Sequence, residues 1–118
     1  MSDLAKRAVA CKHWRWMPGM LAIVGVERQR VLSDKLPAYP DRIPDLDDPA
    51  TLGCLLVLVR QAWDDKGLHC AGMYSGGEWL WHVHGGTHHG STFRRRVYAI
   101  THGTEAEALV AALEAASC

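Results

Sequence analysis

The sequence predicts an α+β sandwich. An antiparallel sheet, built from a three-stranded C-terminal meander and extendable by an N-terminal hairpin, packs against three helices. Three observations predict it. Residues 49–63 are apolar on nearly every side and follow an Asp-Asp-Pro start. Residues 78–84 alternate strictly and follow a Ser-Gly-Gly turn. Thr104 and Glu107 form a T-x-x-E capping box ahead of a run with helical apolar spacing.

Residues 3–13 read as the first helix. Leu4, Ala8 and Cys11 share a stripe, Lys6, Arg7 and Lys12 face water, and Ser2 can cap the start. Pro18 and Gly19 end this region, because the residue before a proline is pushed out of helical geometry. Residues 20–25 and 26–32 read as two strands. Residues 33–47, with Pro37, Pro40 and Pro44, read as a long, partly extended connection of the kind that carries function. The second helix is capped by Asp47 or Asp48, has Pro49 in its first turn and runs to about Trp63. Its stripe is Leu52, Leu55, Leu56, Val59 and Trp63, and Cys54, Val57 and Leu58 cover much of the rest. A helix so apolar is either central or shared with a second chain, and its Gly53 suggests a close approach of another backbone. Residues 68–74, 78–84 and 92–101 read as the meander, and residues 105–116 as the last helix, burying Ala108, Leu109, Ala112 and Leu113.

The chain of 118 residues has room for one domain spanning 1–118. Thirteen Lys and Arg balance thirteen Asp and Glu, so general nucleic-acid coating is not expected. The longest run without a polar side chain, residues 52–59, falls far short of the roughly 20 residues of a membrane span. No secretion signal is visible, so Cys11, Cys54, Cys70 and Cys118 are expected as reduced thiols.

Four stretches carry a family resemblance. They are the N-terminal helix running into a Trp-rich segment (4–20), D-P-A-T-L-G-C-L-L (48–56), the Trp-bearing strand (78–84) and G-T-E-A-E-A-L-V-A-A-L (103–113). In these the chain resembles small phage and prophage proteins of the ABA sandwich type. The resemblance implies an accessory protein in the cytoplasm of a bacterial host that interferes with host defence by binding. It supplies no catalytic residues to carry over, and no cofactor is expected.

The candidate site lies in W-L-W-H-V-H-G-G-T-H-H-G-S-T-F-R-R-R-V-Y. One register pairs His84 with Arg94, His82 with Arg96 and Leu80 with Tyr98, and sets Trp79, Trp81 and Val83 against Ala99, Val97 and Arg95. One face then carries His82, His84, Arg94, Arg96 and Tyr98, beside a Gly-rich loop with Thr87, His88 and Ser91. Guanidinium groups, hydroxyls and Gly-rich backbone suit an anion, and Trp14, Trp16 or Tyr98 can stack on a base if the fold brings them there. The alternative for Trp14 and Trp16 is an apolar lid over the first helix. A metal reading uses His82-x-His84, completed by His88, His89, His69 or Cys70. A three-residue turn opposes Cys70 to His82, and a two-residue turn opposes His69 to His84. No zinc-type spacing appears, and no metal is expected.

Three functions follow as expectations. The first is a counter-defence protein that sequesters a small phosphorylated signal, a nucleotide, as a homo-oligomer. The second is an anti-CRISPR-type inhibitor that binds a host defence protein. The third is a small metal-dependent hydrolase.

Overall fold

A computed structural model describes residues 2–33, 42–85 and 97–117. The element order is α1 (Ser2–Ala10), β1 (Leu21–Val24), β2 (Glu27–Arg30), β3 (Ile43–Pro44), α2 (Pro49–Trp63), β4 (His69–Ser75), β5 (Glu78–His84), β6 (Val97–His102) and α3 (Glu105–Ser117). The strands form two antiparallel sheets of three, ordered β2-β1-β3 and β4-β5-β6. The α+β class is therefore as expected. The N-terminal hairpin is not an extension of the meander but makes its own sheet with β3. That third strand comes from the proline-bearing connection, where proline obscures any strand pattern. No helix of the described residues is long and apolar enough to cross a membrane.

The core gathers around α3. Its Ala108, Leu109, Val110, Ala112 and Leu113 are all sealed from solvent. It packs on α2, on α1 and on all three strands of the second sheet. Thr104 opens it as the capping box requires, its Oγ1 accepting from the Glu107 N–H at 3.2 Å. The helix α1 stops at Ala10, short of the expected residue 13, where a tight turn from the Cys11 N–H to the Ala8 carbonyl takes over.

The helix α2 is buried on one side by Leu55, Leu58 and Val59. Asp48 is its N-cap, accepting from the Thr51 N–H at 3.0 Å. Thr51 is fully buried and ties the helix to the first sheet. Its Oγ1 accepts from the Leu21 N–H at 2.8 Å and donates to Asp48. At the other end the Trp63 indole N–H donates to the Ala112 carbonyl at 2.9 Å. Gly53 meets no close backbone: a Cβ built there has nothing within 4 Å. Gly53 sits on the exposed side of α2, so the close approach expected there is not made within this chain.

Candidate functional site

The second sheet positions the candidate residues. Gly76 and Gly77 both take positive φ, 64° and 86°, which is the geometry a two-residue hairpin turn needs. The turn sets an unbroken register from Ser75 opposite Glu78 to His69 opposite His84. Of the two turn lengths open in the sequence, the chain takes the shorter. Cys70 therefore opposes Val83, not His82.

Alternation divides the sheet into two faces. Val83, Trp81, Cys70 and Ala99 turn toward the helices and pack on the core. His69, Ala71 and Met73 of β4, and Leu80, His82 and His84 of β5, share the open face. So does Ile100, which is 53% exposed. On this face three imidazoles gather. The rings of His82 and His84 lie 5.2 Å apart and 7° from parallel, and those of His69 and His84 lie 5.4 Å apart. The Nε2 of His82 is shut off from solvent and has no hydrogen-bond partner. Nδ1 of His69 lies 3.3 Å from the Gly67 carbonyl. In the register of the described residues the nearest carboxylate on this face is Glu78, at the turn end.

The expected pairings with β6 are corrected. His82 opposes Ile100, Leu80 opposes His102 and, beyond a register shift, His84 opposes Val97. Arg96, Arg94 and Tyr98 are thus not the ladder partners of His82, His84 and Leu80. From Leu80 to Val83 the pairing is displaced by four residues, an even number that keeps each side chain's face and so leaves no trace in the alternation pattern; beyond the register shift Val97 comes opposite His84 and Tyr98 leaves that face. Thr87, His88, His89, Ser91, Arg94 and Arg96 lie outside the described residues.

Tyr98 belongs to the other side. The register shift leaves it without an opposite residue, and such a bulge re-aims the side chain. Its ring rests 4.6 Å from that of Trp63, and its hydroxyl donates to Asp65 Oδ2 at 2.7 Å. It joins sheet to helix and does not join the imidazoles.

Trp14 and Trp16 pack edge to face at 5.4 Å, with the Arg42 guanidinium 5.8 Å from the Trp16 ring centre. Both lie against the buried core. These contacts fit the apolar lid and place Trp16 beside Arg42, at the start of β3.

Cys70 is separated from the imidazoles by the sheet itself. Burial pushes its thiol up to about 12, with the charge of Glu105 adding in the same direction. Opposite Val83 on the helix side, Cys70 does not share a face with His82 and His84, and the described residues contain no group of three ligands arranged to hold a metal ion. The metal set of His82, His84 and Cys70 is therefore withdrawn.

Two features escaped the sequence reading. Met73, Val97 and Ile100 make the open face apolar as well as basic; the registers of β4 and β6 on β5 reveal this. A cleft of about 360 Å³ opens between the starts of α1 and α3 and the end of β3, lined by Asp3, Leu4, Arg7, Pro44, Asp47 and Glu107. Beside it Arg7 holds Glu114 at 2.6 Å, and Glu107 accepts from the Thr104 hydroxyl at 3.4 Å. Compared with protein-family models, curated proteins and solved structures, the chain has no match.

Proposed function

We propose that this chain acts by binding rather than by catalysis, with the open face of β4-β5-β6 as its recognition surface. The ligand is a small phosphorylated compound, a nucleotide, sequestered by a homo-oligomer. The setting is the bacterial cytoplasm and the role is counter-defence, as the resemblance to phage accessory proteins implies. One observation carries the ligand reading: the His82 Nε2 is buried, unpartnered and within a group of three imidazoles. A buried polar atom without a partner costs about 1–3 kcal/mol, and a ligand oxygen would remove that cost. Leu80, Met73 and Ile100 offer apolar surface for the flat part of the same ligand. Arg94 and Arg96 precede β6 in the chain and supply the planar donors that phosphate favours.

Isothermal titration with mono-, di- and cyclic oligonucleotides, and with inorganic phosphate as the reference, tests the reading. Heat with one of the nucleotides, lost in both His82→Leu and Arg96→Ala, is the expected result. Absence of heat with all of them, or binding unchanged in the variants, defeats it.

The inhibitor reading is favoured by a different observation. Tyr74 is 62% exposed and Trp79 52% exposed, and large apolar and aromatic side chains concentrate the energy of protein interfaces. Pull-down from a bacterial lysate, with a Trp79→Ala control, distinguishes it: a stoichiometric protein partner lost in the control supports the inhibitor.

A further inference from the structure

The two sheets present four outer strands, and three of them are guarded against pairing with another chain. The strand β2 reads E-R-Q-R, and all four side chains are exposed. Charges of this kind blunt an edge. The strand β3 is only two residues long, and one of them is Pro44. The strand β6 carries the register shift opposite Val83 and His84, which bends an edge and interrupts its ladder.

The strand β4 has none of these devices. It runs seven residues, H-C-A-G-M-Y-S, with no proline and no Lys, Arg, Asp or Glu. Its ladder to β5 is unbroken over its whole length. From Ala71 to Tyr74 every residue is exposed. Such an edge, long, regular and uncharged, is a template for strand addition.

The hairpin geometry says which backbone groups are available. A two-residue turn hydrogen-bonds its flanking pair, here Ser75 and Glu78. Hydrogen-bonded and non-bonded pairs then alternate along the ladder. Ser75, Met73 and Ala71 therefore spend their N–H and C=O groups on β5. Tyr74, Gly72 and Cys70 direct theirs away from it. Among the described residues no backbone hydrogen bond reaches β4 from outside β5.

We propose that β4 pairs antiparallel with β4 of a second copy of this chain, about a two-fold axis at Gly72. The two sheets then join into one of six strands. Gly72 faces Gly72 of the second copy, and Tyr74 faces Cys70 of the second copy, with about six backbone hydrogen bonds across the seam. Identity of the two strands argues for this occupant. An antiparallel pair of like strands is self-complementary and closes as a dimer, and the absence of Lys, Arg, Asp and Glu from β4 removes the repulsion that such like charges would meet there. Gly72 puts no side chain at the axis. Tyr74, 62% exposed in the single chain, gains a neighbour on the side where Trp79 and Trp81 already stack. The inference rests on the homo-oligomer of the proposed function and not on its ligand: it needs neither the imidazoles nor a nucleotide, so a monomer that still binds nucleotide overturns the dimer alone.

Sedimentation velocity over a concentration series, together with amide hydrogen exchange on the full chain, tests it. The expected result is a dimer whose Cys70, Gly72 and Tyr74 amides slow by on the order of tenfold or more as dimer forms, while Ala71 and Met73 stay as protected as before. Tyr74→Pro removes an outward N–H and no bond to β5, and is expected to weaken the dimer at least about tenfold. If that variant does not fold, the exchange pattern of the unaltered chain decides. A monomer at every concentration overturns the proposal. So does a dimer whose Cys70, Gly72 and Tyr74 amides exchange as in the monomer, or one that Tyr74→Pro leaves intact.

Discussion

His82 and His84, two residues apart on β5, hold their rings nearly parallel at 5.2 Å, yet Nε2 of His82 is bonded to nothing. A protein that needed His82 only for stability would gain by replacing it. His82→Leu keeps the volume and removes the unpaired nitrogen, so it is expected to leave stability unchanged or to raise it by about 1 kcal/mol. Urea denaturation checks this. A loss greater than about 1 kcal/mol would show that the imidazole makes a bond in the folded chain that the ring geometry does not account for.

Tyr98 is expected to behave in the opposite way. Its hydroxyl donates to a carboxylate of Asp65 while its ring packs on Trp63. Tyr98→Phe keeps the packing and deletes only the hydrogen bond. Bonds to charged groups contribute about 1.5–3 kcal/mol, and partial exposure puts the expected loss near the lower end. A double-mutant cycle with Asp65→Asn should return most of that energy as coupling. Independent, additive effects would count against the contact.

These two residues also mark where sequence reading succeeds and where it stops. Strand β5 was legible because Trp79, Trp81 and Val83 alternate with Leu80, His82 and His84. The ends of α2 and α3 were legible because Asp48 with Pro49, and Thr104 with Glu107, cap by local chemistry. The partners of β5 in β6 were not. Displacing a strand by an even number of residues preserves its alternation, so pattern alone could not choose Ile100 over Arg96 as the neighbour of His82. Nor could it foresee the bulge that turns Tyr98 to the helices. The imidazole group was half visible: His82-x-His84 is a local pattern, whereas His69 joins only once Gly76 and Gly77 fix the turn length.

Asp48 gives a prediction in pH. Its carboxylate is held below the usual value near 3.8, chiefly by the hydrogen bond from Arg30, which reaches it at 2.7 Å, and then by the side-chain and backbone bonds from Thr51. A carboxyl depressed in the folded state contributes stability that is present above its unfolded value and lost as pH falls through the folded one. Stability should therefore be insensitive to this group from pH 7 to pH 5 and should decline below about pH 4. Asp48→Asn retains a good N-cap and removes the charge, so it should flatten that decline. Asp48→Ala also removes the cap and should lose about 1 kcal/mol at pH 7. Denaturant titrations at pH 7 and pH 3 separate the two. An acid limb unaltered in Asp48→Asn would assign the decline to other carboxylates.

Gly53 and Gly72 should respond in opposite directions to the same added methyl group. Gly53 lies within α2, and a Cβ there enters open space. Alanine is about 1 kcal/mol more favourable than glycine inside a helix, so Gly53→Ala should stabilise the chain by up to that amount. Gly72 lies under the ring of Trp81, opposite it in the ladder. A Cβ at Gly72 would come within 2.9 Å of Trp81 Cη2 and 3.0 Å of Cζ3. The indole cannot swing away freely, because it packs on the core and stacks on Trp79 at 6.0 Å. Gly72→Ala is therefore expected to cost about 1–3 kcal/mol through overpacking and to shift the tryptophan emission. In a Trp81→Leu background the ring is gone, and the same substitution should become nearly neutral. Thermal unfolding of the four proteins of that cycle reads the coupling directly. Equal losses with and without the Trp81 ring would show that backbone preference, and not the ring, decides what β4 tolerates at Gly72.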